Sequence, residues 1–319
     1  MISIIICSAN NFLLSQVKLN IQETIGVPHE IIAIDNSVNK DGICAVYNRG
    51  GAEALYPLLC FVHEDILFET NNWGLLIEQH FKNSDIGLLG FAGGDTKSIV
   101  PSSWSSSFRS NEISIIQHYK SVNAFSKRTI SAEKSKPEVQ KNVAALDGVF
   151  LCTRKEIFNL HKFDEANFKG FHGYDIDYSL QILKHHSVVV VFNILVHHYS
   201  EGRPDKKWAA SAIMLSKKWK DILPVSVYPL TNKEFNEHHW KTLQVFMSHL
   251  FRLNFRFDQV IFYYLKYSFT RFFNLRRFLS MGKYVLLSAY KKTFPENNIR
   301  FKDSFSNIAI ETGHHKKRS

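Results

Sequence analysis

A histidine and two carboxylates follow an apolar run that has the length of a buried strand. The run is 58–62, and His63, Glu64 and Asp65 come directly after it. Mg²⁺ and Mn²⁺ prefer oxygen ligands and often bind between one or two carboxylates and substrate phosphates. A cation held there could neutralise the charge on a departing diphosphate. Acidic residues beyond a strand are often merely solvated, so both interpretations of the triplet stay open.

Asp35, Asn36 and Ser37 follow a second apolar run, 30–34. Their side-chain oxygens could accept hydrogen bonds from a nucleobase or a ribose. The same residue types also build turns by bonding to their own backbone, which is the alternative interpretation.

A third candidate is a glycine-containing loop, 171–173, that leads into a predicted helix with Asp175 and Asp177 in its first turn. Residues two apart on a helix do not share a face, so one carboxylate can face a cleft while the other supports the helix. A helix N-terminus favours the ionised form, which keeps a carboxylate ready to accept a proton. Helix capping is the alternative role.

His198 belongs to a fourth candidate, the polar segment 197–202 after the last strand-like run. A histidine at a strand end can ligate a metal or bind a phosphate. The chain has 15 histidines, so chance placement is the alternative. We predict that two other pairs, at 185–186 and 238–239, lie on the surface.

The elements that must position these residues alternate between strand and helix. Strands are predicted at 2–7, 30–34, 58–62, 86–91, 143–153 with an interruption at 147–148, and 188–196, and helices at 10–25, 42–56, 73–81, 175–186 and 208–219. This alternation predicts an α/β protein with a doubly wound, mostly parallel sheet. Ligands of such sheets bind beyond the carboxyl ends of the strands, where the polar groups above are expected.

Composition narrows the class of protein further. The net charge is +10, and the whole excess lies beyond residue 240. The four cysteines are scattered and form no paired motif, which predicts buried free thiols. No basic leader and no apolar stretch of about 18 residues is present, so we expect a cytoplasmic protein. Neither a glycine-rich phosphate loop nor a nucleic-acid-binding motif accompanies the charge.

The C-terminal third differs in amino-acid composition from the rest of the chain. Residues 240–290 are dense in aromatics, leucine and arginine, so we predict a helical extension that starts after residue 224. Such a segment suits a helix lying on a membrane surface. Packing against the catalytic core or a second subunit is the alternative. The segment 121–141 is predicted to be exposed and mobile, and the tail 314–319 to be frayed.

Taken in order, these motifs resemble the family 2-type glycosyltransferases of the GT-A fold. The resemblance covers roughly residues 1–224. It rests on the segments 2–8, 30–37, 47–50, 61–65, 146–150, 163–165, 171–177 and 198–202. It implies a Rossmann-like sheet and a sugar transfer from a nucleoside-diphosphate donor, favoured as a UDP-sugar, to an acceptor hydroxyl with inversion. The setting it implies is synthesis of a cell-surface polysaccharide or glycoconjugate, with a glycan or lipid-linked acceptor.

The resemblance also implies site residues. Asp175 matches the general base, Asp65 matches the second acid of the family's metal motif, and His198 matches a histidine that holds the metal or the diphosphate. His63 replaces the first acid of that motif, so Mn²⁺ or Mg²⁺ would depend on the remaining ligands. The residues implied in donor and nucleotide binding are Ser8, Asp35, Asn36, Asn48, Arg49, Glu64, Asp147 and Gly148.

Two other functions fit the sequence less well. One is a non-catalytic module that binds a nucleotide-sugar or acts as a scaffold, which the histidine at position 63 would favour. The other is a nucleotidyltransferase on a similar sheet, which would release pyrophosphate from a nucleoside triphosphate. Loss of turnover with retained donor binding on Asp175→Asn would support the enzyme.

Overall fold

The computed structural model describes residues 1–105, 111–118, 127–130, 138–200, 202 and 204–293, without the side chains of 127–130 and 291–293. Most of the segment 121–141, the tail 314–319 and Glu201 therefore lie outside the described residues. The chain divides into two compact units, Met1–Leu253 and Asn254–Ser319. The boundary that the sequence places after residue 224 stays a prediction.

Strands and helices alternate through most of the first unit. The strands are β1 Ile2–Ser8, β2 His29–Asp35, β3 Leu58–His63, β4 Ile66–Phe68, β5 Ile86–Gly90, β6 Ala92–Gly94, β7 Thr96–Lys97, β8 Asn111–Gln117, β9 Lys127–Ile130, β10 Gln140–Asn142, β11 Ala145–Leu146, β12 Phe150–Arg154, β13 Ser187–Val191, β14 Val196–His198 and β15 Val225–Ser226. The helices are α1 Asn11–Thr24, α2 Ile43–Glu53, α3 Trp73–His80, α4 Lys155–Leu160, α5 Tyr174–Leu183, α6 Lys206–Lys218, α7 Asn232–Arg252, α8 Phe257–Ser268 and α9 Leu275–Thr293.

The central sheet has the strand order β10-β13-β5-β12-β3-β1-β2. Its β1 strand is almost wholly apolar and buried, as expected for a strand covered on both faces. The pairs β1–β2, β1–β3 and β5–β13 are parallel, whereas β12 runs antiparallel to both β3 and β5. The prediction of an α/β fold is confirmed. The sheet is mixed rather than mostly parallel, because β12 lies between β3 and β5 and runs antiparallel to both.

A second, smaller sheet has the order β11-β6-β8-β14-β4, with β9 paired to β8. The prediction of one strand over 188–196 is wrong, because β13 lies in the central sheet and β14 in this second sheet. The chain turns between them at Asn193, whose Oδ1 lies 2.9 Å from Nε2 of His80. This turn carries the chain from one sheet to the other.

The register of the sheets sets which strand ends meet. In the central sheet Cys7 lies opposite His63, and Ser8 lies opposite Asp35. In the second sheet β14 runs antiparallel to β4, so that His198 lies opposite Ile66, next to Asp65. The tertiary structure thus brings residues near positions 8, 35, 63 and 198 to one edge of the fold.

The C-terminal region is helical, as predicted. Helix α7 begins with a capping box between Thr231 and Glu234 and closes the first unit. The prediction that His238 and His239 lie on the surface is wrong, since both are buried in α7. Their positions fall on the apolar face of an amphipathic helix, which an isolated pair of histidines does not reveal.

In the second unit, α8 and α9 pack on each other. The rings of Tyr264 and Phe278 stack at 5.1 Å, and the Tyr264 hydroxyl donates to the Phe278 carbonyl at 2.7 Å. Val260, Met281 and Val285 are buried. Within the described part of the chain, no helix is both long and apolar enough to cross a membrane.

Candidate functional site

Two imidazoles and one carboxylate converge at the edge where the two sheets meet. His63 Nδ1 lies 3.9 Å from Asp65 Oδ1, and His198 Nε2 lies 3.7 Å from the same oxygen. One ligand atom from each residue can be chosen so that all three lie within 4.8 Å of one another. We call this cluster the His–Asp–His triad. It is the only such group of three found among the described residues.

Local structure explains why the triad forms. His63 is the last residue of β3, Asp65 stands in the turn before β4, and His198 ends β14. The Tyr199 N–H donates to the Asp65 carbonyl at 3.0 Å, which extends the antiparallel β4–β14 pairing to the site. The backbone therefore fixes Asp65 and His198 side by side.

The tautomer of His63 follows from its neighbour Tyr174. The Tyr174 hydroxyl donates its one proton to the Gly148 carbonyl at 3.0 Å, since a carbonyl can only accept. It must then accept from His63 Nε2, which lies 2.8 Å away. His63 Nδ1 is left with its lone pair, and this is the nitrogen that faces Asp65.

Gln117 fixes His198 in the same way. The Gln117 amide nitrogen lies within hydrogen-bond distance of three backbone carbonyls, so its Oε1 is the oxygen that accepts from His198 Nδ1 at 2.9 Å. The lone pair of His198 is therefore on Nε2, which faces Asp65 and also accepts a hydrogen bond from the Ser200 hydroxyl at 3.1 Å. Partners of this kind, on the far nitrogen of an imidazole, are typical of histidines that ligate metals.

Asp65 itself has an unfilled oxygen. Oδ1 is buried and has no hydrogen-bond donor among the described residues. A buried carboxylate oxygen without a donor is costly unless a cation or water satisfies it. Burial lowers the pKa of His63, although the charge of Asp65 opposes this, and a neutral imidazole is the form that binds metals. These residues could therefore hold a divalent cation.

Asp175 stands in the first turn of α5, two residues after Gly173. Gly173 takes φ +83°, a conformation that favours glycine, and it caps the helix. The Gly148 N–H donates to Asp175 Oδ2 at 3.1 Å. Burial raises the pKa of Asp175 to about 7, and the negative charge of Asp147 adds to the effect.

Gly148 connects Asp175 to the triad. Its carbonyl accepts from Tyr174, which contacts His63, and its N–H donates to Asp175. A Cβ at position 148 would lie 2.0 Å from the Tyr174 hydroxyl and 3.1 Å from Asp175 Cβ, so the close approach requires glycine. Asp147 braces the same turn by accepting from the Val149 N–H at 2.8 Å.

The second aspartate of α5 has a different environment. Asp177 is buried and accepts hydrogen bonds from Trp219 Nε1 at 2.8 Å, Gln181 Nε2 at 2.9 Å and Lys218 Nζ at 2.9 Å. Lys218 also binds Asp164 at 2.7 Å. We call Asp177, Lys218 and Trp219 the α5–α6 anchor, because they tie the helix that carries Asp175 to the end of α6.

Glu64 and Ser8, both implied in donor binding, bind each other. The Ser8 hydroxyl donates to Glu64 Oε2 at 2.6 Å, and the same oxygen accepts from the N–H groups of Ala9 and Asn10, each at 3.1 Å. These contacts fix the turn between β1 and α1. Ser8 is buried behind them, so its hydroxyl holds the turn at the edge of the candidate site.

The other residues that the resemblance implies in nucleotide binding are either exposed or hydrogen-bonded within the protein. Asp35 is exposed, and hydrogen bonds from the side chain and the N–H of Ser37 lower the pKa of its carboxyl. The Asn36 amide is occupied by Asp41, through both its N–H and its carbonyl.

Two residues on α2 complete that group. Asn48 exchanges two hydrogen bonds with the backbone of Phe163, at 2.9 and 3.0 Å. Arg49 is partly exposed and lies 3.4 Å from Asp41. Asp35 and Arg49 thus keep groups that could reach a ligand, whereas Asn48 joins α2 to the loop before α5.

Three residues near the candidate site were given no role in the analysis of the sequence. Gln117 orients His198, and Tyr174 orients His63. Lys97 is fully buried, donates to the Ser102 hydroxyl at 2.6 Å, and has a pKa lowered to about 7 by burial, against the charge of Asp175. Only Tyr174 lay within a recognised motif, and no local pattern marks the other two.

A model of the glycosyltransferase-like family matches residues 3–220, more than half of the chain. The chain belongs to this family. The match and the mixed α/β sheet confirm the predicted family and fold class, and they support a transferase. The direct comparison with curated proteins gives no match.

Solved structures of low identity also align with this glycosyltransferase-like protein. GalNAc-T7, solved with UDP, GalNAc and Mn²⁺, aligns at 12% identity and a TM-score of 0.45 over 91% of this chain and 58% of its own, so this chain spans well under two thirds of it. S. aureus TarS 1-349, solved with UDP-GlcNAc, aligns at 12% identity and a TM-score of 0.40 over 84% of this chain and 72% of its own. A197 from STIV aligns at 12% identity and a TM-score of 0.35 over 63% of this chain and 86% of its own.

Proposed function

We propose that this protein is an inverting, metal-dependent glycosyltransferase. Asp175 is the general base, and His63, Asp65 and His198 hold the cation. The observation that carries the proposal is the link from the triad through Tyr174 and Gly148 to Asp175. It brings a cation site and a carboxylate of raised pKa into one hydrogen-bonded cluster.

The chemistry of the three candidate ligand residues supports a cation in the triad. Ligand atoms of the two imidazoles and the carboxylate lie within 4.8 Å of one another, and a cation among them would satisfy the buried Asp65 Oδ1, which has no donor among the described residues. The family resemblance implies Mn²⁺ or Mg²⁺, and two imidazoles beside one carboxylate suit a transition metal, so of these two ions we propose Mn²⁺. When bound, it would neutralise charge on the leaving diphosphate.

Asp175 takes the proton in the transfer step. The acceptor O–H gives its proton to the carboxylate while the acceptor oxygen forms a bond to the anomeric carbon. The bond between that carbon and the diphosphate oxygen breaks, and its electrons stay on the diphosphate. Attack from the side opposite the leaving group inverts the anomeric centre. A base whose pKa lies near the working pH suits this step.

Phe171 supplies an apolar surface next to the base. Its side chain is 56% exposed, and its ring lies 5.3 Å from that of His63 and 6.2 Å from that of Tyr174. An exposed aromatic on a loop beside the base can pack against the apolar face of an acceptor sugar. We propose that Phe171 positions a glycan acceptor, free or lipid-linked.

On the donor side, we propose that Asp35 and Arg49 contact the nucleotide. Both are accessible, and Asp35 lies on the strand beside Ser8 at the edge that contains His63. The family resemblance favours a UDP-sugar and a role in polysaccharide or glycoconjugate synthesis. Ser8, Asn36, Asn48, Glu64, Asp147 and Gly148 then act by holding the loops around the donor.

Release of nucleoside diphosphate from a panel of nucleotide-sugars tests the proposal. The assay is run with Mn²⁺, with Mg²⁺ and with a chelator. We expect one donor to be consumed with Mn²⁺, slower release with Mg²⁺ and none with the chelator. Asp65→Asn should abolish release, whereas Asp85→Asn, an exposed aspartate of the first unit, should leave it unchanged.

Thermal unfolding with the same ligands separates the competing functions. A ligand that binds the folded state raises the melting temperature by mass action. A diphosphate that stabilises the protein without any donor consumption would favour a binding module. Pyrophosphate release from a nucleoside triphosphate would favour a nucleotidyltransferase. Either result would refute the proposed transfer.

A further inference from the structure

Exposed apolar side chains are concentrated in the second unit. The described residues of the chain include nineteen large hydrophobic side chains that are exposed, and nine of them lie within 257–290. Their exposed fractions range from 40% to 61%. They are Phe257, Phe262, Leu265, Phe269, Phe273, Leu275, Leu279, Leu286 and Tyr290. Such a concentration marks a surface that binds something apolar.

Helix α9 has two apolar faces. One contains Met281 and Val285, which are buried. The other contains Leu275, Leu279 and Leu286, spaced four and seven residues apart on one exposed stripe. The buried face already accounts for packing in the second unit, so the exposed stripe requires a different explanation.

A similar stripe lies on α8 and continues into the next turn. Phe262, Leu265 and Phe269 are spaced three and four residues apart, and all three are exposed. The Phe269 ring stacks on the exposed Phe273 ring at 5.3 Å. The connection between the two helices therefore presents aromatic rings to solvent.

Cations lie between the apolar residues of both stripes. Lys283 is four residues after Leu279 and three before Leu286, and Lys266 has the same spacing between Phe262 and Phe269. Residues 254–293 contain eight lysines and arginines but a single acid, Asp258. That acid is paired with Arg256 at 2.9 Å.

We propose that the second unit binds the surface of an anionic lipid bilayer. The exposed stripes would enter the boundary between headgroups and acyl chains, and the cations would contact anionic headgroups. A second copy of this chain is a poorer occupant, because two strongly basic faces would repel each other. The proposal is independent of the sugar transfer, although it would bring the enzyme to a lipid-linked acceptor.

Flotation of the full-length protein with vesicles tests this inference. We compare vesicles of phosphatidylcholine alone with vesicles containing about a third phosphatidylglycerol. We expect binding to the anionic vesicles at least about tenfold tighter, and weaker at high salt because exposed charges are screened.

Two double variants separate the two contributions. Leu279→Ser with Leu286→Ser should weaken binding to anionic vesicles at least about tenfold, because it removes the apolar stripe. Arg276→Glu with Lys283→Glu should remove the preference for anionic lipid. Leu19→Ser with Leu160→Ser is the matched control, since both leucines are exposed in the first unit. The melting temperature of every variant shows whether it is folded.

Three results would overturn the inference. Equal binding to neutral and anionic vesicles would remove the role of the charges. Equal loss in the control variant would remove the role of α9. Failure to bind vesicles, together with a dimer in light scattering that Leu279→Ser with Leu286→Ser dissociates, would show that a second copy covers this surface.

Discussion

The His–Asp–His triad and the α5–α6 anchor both contain a carboxylate with a buried oxygen, and they differ in how that oxygen is satisfied. In the anchor, Asp177 accepts hydrogen bonds from a lysine, a tryptophan and a glutamine. In the triad, Asp65 Oδ1 has no donor among the described residues and lies 3.9 and 3.7 Å from the nearer nitrogens of His63 and His198. A saturated carboxylate holds the fold together, whereas an unsatisfied one is available for a ligand.

The same contrast separates neighbours in sequence. Glu64 accepts three hydrogen bonds from the turn after β1, and Asp65 next to it has the unfilled oxygen. Asp175 and Asp177 lie two residues apart on α5 and also differ, since Asp177 is held by three side chains. Mutations of the carboxylates at the candidate site should therefore affect activity, whereas mutations of the hydrogen-bonded carboxylates should affect stability.

The largest expected effect is on catalysis at Asp175. Asp175→Asn keeps the shape of the side chain but removes the proton acceptor. We expect kcat to fall by about 10² to 10⁴, with the donor dissociation constant unchanged. Steady-state kinetics and donor titration measure both quantities. Unchanged turnover would show that another group accepts the proton.

Removing the carboxylate of the anchor should instead destabilise the protein. Asp177→Ala leaves Trp219 Nε1 without its acceptor in a mostly buried network, and of its two carboxylate partners Lys218 keeps Asp164. We expect a loss of about 3 kcal/mol in the free energy of unfolding, measured by denaturant titration. The affinity for Mn²⁺ should be unchanged in the folded variant. The control is Asp221→Ala, an exposed aspartate whose loss should change neither quantity.

Gln117 lies between these extremes, because it acts on the site through His198. Gln117→Leu removes the acceptor that fixes the His198 tautomer. We expect a loss of about 10- to 100-fold in Mn²⁺ affinity, measured by isothermal titration calorimetry, and a lower melting temperature because the carbonyls that the Gln117 amide contacts lose a donor. Gln79→Leu, on the exposed side of α3, is the matched control. Equal affinity in both variants would argue against His198 as a ligand.

The smallest expected effect is a displacement of the pH profile. Because the pKa of Asp175 is raised to about 7, the active ionised form is lost as pH falls below that value. The rate should therefore fall about tenfold per pH unit on the acid side and level off above about 7. Asp147→Asn removes a negative charge beside Asp175, so the acid limb should move to lower pH. An unmoved limb would assign the titration to another group.

Particular residues show how much of the structure could be predicted from the sequence. The strands 2–7, 30–34, 58–62 and 86–91 were predicted within a few residues, because continuous apolar runs bounded by polar residues are local signals. Asp65, Asp175 and His198 were selected as candidates through the order of their motifs, and their roles stay predictions. The split of 188–196 into two strands was missed, because only the pairing partners of β13 and β14 separate them.

Local chemistry in the sequence determined which carboxylates and histidines stand at element ends, and the family match covers those segments. Tertiary structure alone decided that Asp65 is open while Glu64 and Asp177 are saturated. It also decided that Gln117 and Tyr174 fix the two imidazoles. Hydrogen-bond satisfaction depends on partners that are distant along the chain. The pairing of β4 with β14, more than a hundred residues apart, makes the site, and no local pattern contains that information.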